Sequence, residues 1–234
     1  SLTIEAKERV GFIGSLGSGK TTLFSLIPRL YSPEDNSLFI DGLDVNHWPL
    51  AELRRQIGFV HQDVFLFSQS IYENLDFGFA SSESGDTRER IERAAEIAAL
   101  RNEIERMPHG WATRLGEKGV NISGGQKQRL TLARALVKRP KLLILDDALS
   151  SVDLESEHKI LANLKSLEGG QSELISSHRI SAIKDCQRIV VLHKGEILEV
   201  GPHRTLIKNK SGLYYRFYEQ QRDQEELNAF IERH

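Results

Sequence analysis

The stretch "RVGFIGSLGSGKTTLFSLI", residues 9–27, constrains this chain more than any other. An apolar run breaks at once into Gly14-Ser15-Leu16-Gly17-Ser18-Gly19-Lys20-Thr21-Thr22, and helical spacing follows at Leu23, Leu26 and Ile27. That is G-x-x-x-x-G-K-[ST] between a strand and a helix, the context the pattern requires. Glycines at 14, 17 and 19 let the backbone curl until its N–H groups converge on one anion. The helix start adds partial positive charge. Lys20 is placed to reach the outer phosphates of a nucleoside triphosphate, and the Thr21 hydroxyl to bind Mg²⁺.

The rest of the chain alternates between two textures. "SLFIDGLDV" reads as strand, turn and strand around Asp41-Gly42, "LAELRRQ" as a short helix and "IGFVHQ" as a buried strand ending on Gln62. From about residue 76 to 139 the pattern becomes all-helical. Ile91, Ala94, Ala95 and Ala98 share one face, with Asp86 or Thr87 as cap. A second helix follows the glycines of "NISGGQ" and stops before Pro140. Then "KLLILDD" is a continuous apolar strand suited to a parallel sheet covered on both faces. "SEHKILANLKSL" is a helix, "SELISSH" a strand and "RIVVLHKGEILEVG" a strand pair. The tail, residues 211–234, is helical with Leu213, Phe217, Leu227 and Ile231, for docking or for a partner.

Four further features sit at chemically useful places. Asp146 ends an apolar strand downstream of the glycine loop, where an acid holds Mg²⁺. Gln62 ends a strand, where an amide can touch Mg²⁺ or an attacking water. Ser123 can cap a helix whose first residues, Gly124 and Gly125, expose backbone N–H groups ahead of Gln126, a second anion-binding helix start with no lysine of its own. His178 follows a strand and faces the ligand crevice of an α/β sheet.

In this order the motifs resemble the ATP-binding cassette, the nucleotide-binding domain of ABC transporters, over essentially the whole chain. The resemblance implies an α/β fold: a P-loop NTPase with a RecA-like core around a parallel sheet, an all-helical subdomain and an antiparallel β edge. The core is expected over 1–75 and 140–210, the helical subdomain over 76–139 and a C-terminal helix over 211–234. It makes Gln62 the Q-loop residue, Ser123–Gln126 the signature, Asp146 the Walker B acid, Asp153 the D-loop acid and His178 the switch histidine. ATP and Mg²⁺ are the implied cofactors. Gly14 to Thr22 would grip ATP, with Ser123, Gly124, Gly125, Gln126 and Asp153 completing a partner's site. Thr21, Gln62 and Asp146 are the implied Mg²⁺ set, and Asp147, His178, Gln62 and Lys20 the catalytic set. "GEKG", Gly116 to Gly119, and "FLFSQSIYENLDFG" resemble the exporter type, in particular multidrug-exporter half-transporters with drug or lipid-like cargo. The implied partners are a second nucleotide-binding domain and a transmembrane domain, at the cytoplasmic face of the membrane, with the isolated domain soluble. "DVFLF", Asp63 to Phe67, reads as a contact for that membrane domain or as core.

Composition agrees. A net charge of −2 over 234 residues, with Lys and Arg dispersed, offers no electrostatic footprint for nucleic acid. One cysteine, Cys186, forms no internal disulfide and suits a reducing compartment. The opening "SLTIEAKERV" reads as a sheet entered partway, and the family's adenine-stacking aromatic would fall before Ser1. One departure bears on chemistry. The family usually has glutamate after the Walker B aspartate, whereas here Asp147 is one methylene shorter. Its oxygens withdraw by roughly one C–C bond, about 1.5 Å, so slow turnover is expected at this chain's own site. Two arrangements follow: a homodimer in which Asp147 works, or a heterodimer in which this half mainly binds ATP.

Overall fold

In a computed structural model the chain is described at residues 1–77, 87–116, 122–167 and 170–231. Its elements run β1 (Arg9–Gly14), α1 (Lys20–Leu26), β2 (Phe39–Ile40), β3 (Leu43–Asp44), α2 (Leu50–Gln56), β4 (Ile57–Val60), α3 (Ile71–Asp76), α4 (Thr87–Ile97), α5 (Arg101–Arg106) and α6 (Gly124–Val137). There follow β5 (Leu142–Asp146), α7 (Leu154–Lys165), β6 (Ser172–Ser176), α8 (Ile180–Ile183), β7 (Arg188–His193), β8 (Glu196–Gly201), α9 (His203–Leu206) and α10 (Leu213–Ile231). Among the described residues no helix is long and apolar enough to cross a membrane.

Six strands form one sheet in the order β4-β5-β6-β1-β7-β8. All neighbours are parallel except β7 and β8, the antiparallel edge. A separate β2–β3 ribbon turns at Asp41 and Gly42, both at positive φ. The apolar runs of the sequence are explained by the sheet's two covered faces. Leu143, Leu145, Ile13 and Val191 face one core with α4, α6 and α7 residues, while Ile144, Phe12 and Val190 face the other with Phe24 and Leu53. Strands buried on both faces have no polar side to alternate with. The α/β fold, the parallel sheet and the antiparallel edge thus match the expectation.

Several local readings hold in detail, and others shift. Ile91, Ala94, Ala95 and Ala98 are all buried. The helical stretch is entered at Ile71 rather than near 76, because Ser70 and Glu73 form a capping box that starts α3, and α3 lies against α6. Strand β4 ends at Val60, two residues short of Gln62. Of the two residues expected to cap α4, Thr87 is its first residue and Asp86 lies outside the described residues, as do three of the "GEKG" residues, 117–119. Helix α10 docks through its first half: Tyr214 is fully buried, with Leu213 and Phe217 against the core, whereas Leu227 is exposed. Cys186 is buried, and burial pushes its thiol up to about 12, which makes it an inert core residue.

The N-terminal segment is tied down by charge. Arg188 Nε and Nη2 donate to Glu8 Oε1 (2.5 Å) and Oε2 (2.7 Å), and Nη2 also donates to Thr3 O (2.6 Å). The Arg188 hydrogen bonds hold the Glu8 carboxyl below its ordinary value, against burial. A carboxylate depressed in the folded state stabilises fully above its unfolded pKa and loses that contribution as pH falls through the folded value. Thermal melts should therefore show stability declining as pH drops from the ordinary carboxylate range downward. Arg188→Met should lower Tm at neutral pH and flatten that acid limb; an unchanged acid limb would show that Glu8 is not among its causes.

Candidate nucleotide-binding site

The site is built where strand ends come level. Ser176 at the end of β6 pairs with Asp146 at the end of β5 and, on its other side, with Phe12 of β1. Gly14 closes β1 against Leu192 of β7. A Cβ on Gly14 would stand 2.2 Å from Leu192 O and 2.7 Å from Ser18 Oγ, so only glycine lets the loop leave the strand there. Gly17 and Gly19 adopt φ of 74° and 99°, conformations that side chains resist. Ser15 and Leu16 are exposed at the loop's tip, and Thr21 and Thr22 are exposed on the first turn of α1.

Lys20 is buried, and its ammonium is held inside the loop. Nζ donates to Gly14 O (2.7 Å), Ser15 O (3.2 Å) and Ser18 Oγ (3.1 Å). Burial lowers its pKa, while the charges of Asp146 and Asp147 oppose that shift. Both acids therefore bear electrostatically on the loop lysine. Asp146 is 2% exposed, and its Oδ2 has no hydrogen-bond partner. A lone carboxylate oxygen in a buried place is costly unless a cation or water meets it. Asp146 accordingly fits a Mg²⁺ ligand. Among the described residues no group of three or more His, Cys, Asp or Glu side chains is gathered for a metal.

Asp147 sits at φ 48°, and its N–H donates to Ser176 O (3.0 Å). Aspartate tolerates this left-handed backbone better than most side chains, a preference the sequence reading did not include. Gln62 and His178 are both exposed, the first beyond β4 and the second beyond β6.

The second glycine-rich helix start has a polar network of its own. Ser123 Oγ accepts from Gln126 N (3.2 Å), and Ser123 N donates to Gln126 Oε1 (3.0 Å), a complete capping box on α6. Gln126 Nε2 and both Arg129 terminal nitrogens converge on Glu103 of α5. Gly125 lies against the chain at Ser151, whose carbonyl oxygen would be 2.8 Å from any Cβ. Asp153 caps α7 by accepting from Ser156 N (2.8 Å), and these hydrogen bonds lower its pKa. All of Lys20's polar partners, by contrast, lie within residues 14–18.

Sequence reasoning missed the polar wiring beneath these motifs. Gln128, 3% exposed on the apolar face of α6, donates to Ser150 Oγ (2.9 Å) and accepts from Ser151 N (2.8 Å). Arg179 Nη2 reaches Ser150 O (2.7 Å), while Nη1 reaches Val152 O (2.9 Å) and Glu157 Oε2 (2.8 Å). A polar residue at an apolar position of the α6 periodicity was the available signal for Gln128; Arg179 offered only its place beside His178.

A parallel sheet, a glycine loop closing on a buried lysine, and an acid at the end of β5, one strand beyond β1's neighbour β6, define a P-loop nucleotide-binding domain. A family model described as "ABC transporter" matches residues 1–150. The chain is 44% identical over 214 residues to an ATP-dependent lipid A-core flippase of Cupriavidus metallidurans, covering 92% of this chain and 36% of that protein. It is equally identical to the leukotoxin translocation ATP-binding protein LktB of Mannheimia glucosida, again over 92% of this chain but 30% of the relative. A solved bacterial Atm1-family ABC exporter with ATP bound superposes with a TM-score of 0.85 at 36% identity, covering 92% of this chain and 37% of that one. The chain belongs to the ABC transporter family. It spans about a third of the length of these relatives.

The packing at Gly14 makes a direct prediction. Gly14→Ala should weaken Mg·ATP binding by at least tenfold, about 1.4 kcal/mol, and cost roughly 1–3 kcal/mol of stability through overpacking. Titration with a fluorescent ATP analogue and urea unfolding of the same sample measure both. Unchanged affinity would mean that Leu192 yields.

Proposed function

We propose that this chain is the ATP-binding and ATP-hydrolysing motor domain of an ABC exporter, at the cytoplasmic face of a membrane. Two such domains close head to tail on ATP and drive the membrane helices between inward and outward states. The observation that carries the reading is the pair of separate anion-ready starts in one chain: the Lys20 loop, and the Ser123-capped glycines of α6 that lean on Ser151. Each triphosphate then lies between one chain's loop and the other's capped helix. Thr21, Gln62 and Asp146 would hold Mg²⁺, which when bound offsets charge on the β- and γ-phosphate oxygens. Lys20 leaves its loop oxygens to meet the phosphates. Gln62 and Asp147 orient water toward the γ-phosphorus, and His178 hydrogen-bonds the γ-phosphate.

The segment after Gln62 supports a membrane-domain contact. Leu66 is buried, but Phe65 is 55% and Phe77 51% exposed. Phe67 lies 5.1 Å from Phe65 and 4.2 Å from Phe77, with the Arg134 guanidinium 5.5 Å from its ring centre. Arg134 also donates to Phe65 O and Asn74 O, so the aromatic surface is preorganised. An apolar cluster of this kind fits the loops of a transmembrane partner. Drug or lipid-like cargo is the substrate class this reading carries.

A second reading is favoured by Asp147 alone: a half that mainly binds ATP and completes a partner's hydrolytic site. One substitution tests the premise both readings share, the short carboxylate. Under the motor reading with a short base, Asp147→Glu should raise kcat about tenfold or more, since a displacement near 1 Å is worth up to about 100-fold. ATP affinity should stay within about twofold, because the binding groups are untouched. A flat or lower kcat would remove carboxylate length as the limit.

Composite sites also predict complementation. Lys20→Met disables the loop and Gly124→Asp the capped helix, so each alone should be inactive. Mixed one to one, half of the dimers are mixed and each holds one intact site of two, so about a quarter of the normal rate should return. No recovery in the mixture would argue against shared sites.

A further inference from the structure

The carboxamide of Gln221, midway along α10, grips the backbone of the loop that carries His178. Its Nε2 donates to His178 O, and its Oε1 accepts from Ile180 N (2.8 Å). One amide thus brackets three consecutive residues from the α10 side. The residue between them, Arg179, is fixed from the other direction by Ser150 O, Val152 O and Glu157, and its own N–H donates to Ser177 Oγ (3.0 Å). The imidazole of His178 is exposed, so its placement depends on the backbone beneath it.

We infer that Gln221 is a positioning residue for His178: the C-terminal helix holds the switch-histidine loop at the height that the γ-phosphate contact requires. This rests on the reading of His178 given above. The helix is well anchored for the task. Leu213 N and Tyr214 N donate to Glu199 Oε1 (2.6 and 3.1 Å), Tyr214 is fully buried, and its hydroxyl meets His203 Nδ1 (2.7 Å). No carboxylate can replace Gln221, because the bracket needs a donor for a carbonyl and an acceptor for an N–H on one planar group. Glutamate would keep the Ile180 contact and repel His178 O. The neighbouring wiring extends the reach of the bracket, since Arg179 binds the same Ser150–Val152 stretch that Gln128 ties to the capped helix α6.

The test uses single-turnover ATP hydrolysis by the whole chain, with Gln221→Met to remove both hydrogen bonds at similar volume and Gln221→Glu to remove one while the helix stays docked. Both should slow the chemical step by about tenfold and leave the Kd for Mg·ATP within about twofold. In a His178→Ala background neither should slow it further, the signature of two residues acting as one. An equal loss in both backgrounds would reduce Gln221 to a structural part. Normal rates in the Gln221 variants, with His178→Ala slow, would overturn the positioning and leave the role of His178 intact. Normal rates in His178→Ala would remove both. A second readout needs no hydrolysis. The ring ¹³Cε1–¹Hε1 resonance of His178, assigned by its loss in His178→Ala, should shift in both Gln221 variants while that of His203 stays in place. A stationary His178 resonance refutes the bracket whatever the chain's turnover.

Discussion

Everything at the site depends on the level at which parallel strands end. Backbone ladder bonds set Ser176 beside both Asp146 and Phe12, so the exits of β5, β6 and β1 open onto one edge. From that edge come the acids, the His178 loop and the glycine loop. No side chain could gather these groups by itself, since the glycine loop lies more than a hundred residues before the acids and the His178 loop in the chain. Register does it, and register is held because each strand buries alternate residues in different cores. A one-residue slip would exchange Leu143 and Leu145 with Ile144 and carry Asp146 away from the lysine.

The electrostatics of the edge are arranged in tension. Burial lowers the pKa of Lys20 and two carboxylates oppose that shift, while its own donors are spent on loop oxygens. Asp146 keeps an oxygen without a partner. In the proposed function a triphosphate with its cation would relieve both conditions: the lysine would exchange carbonyls for anionic oxygens, and the carboxylate would gain a counter-charge. Binding energy at such a site comes from satisfying groups already paid for in the fold.

Much of this was legible in the sequence, and the reasons are specific. The glycine loop at 14–19, the apolar strand before Asp146 and the Ser123-Gly124-Gly125-Gln126 helix start are local signals, each written in adjacent residues. Periodicity exposed the buried face of α4. The start of α3 was also written locally, as Ser70 and Glu73, but the capping pair was overlooked. What the sequence concealed is the long-range wiring. Gln221 meets His178 across 43 positions, and Arg188 meets Glu8 across 180. No spacing rule encodes such pairs, because they exist only once the fold has brought surfaces together. Backbone conformation was hidden for the same reason: Asp147 announces a carboxylate, not its left-handed φ.

That φ changes how the short acid should be weighed. Two properties compete at position 147. Reach favours glutamate, since the extra methylene advances the oxygens toward water. Backbone preference favours aspartate, because a left-handed residue is better tolerated with a short polar side chain. The N–H of Asp147 is also committed to Ser176 O, so the backbone cannot swing to recover the lost reach. Under the proposed function, a shortened acid on this backbone would lose its distance in full, and the loss would fall on the chemical step rather than on the phosphate grip of the glycine loop and the start of α1. Under the proposed function the same division would let one chain serve either arrangement, working slowly with a copy of itself or holding ATP beside a partner with the longer acid.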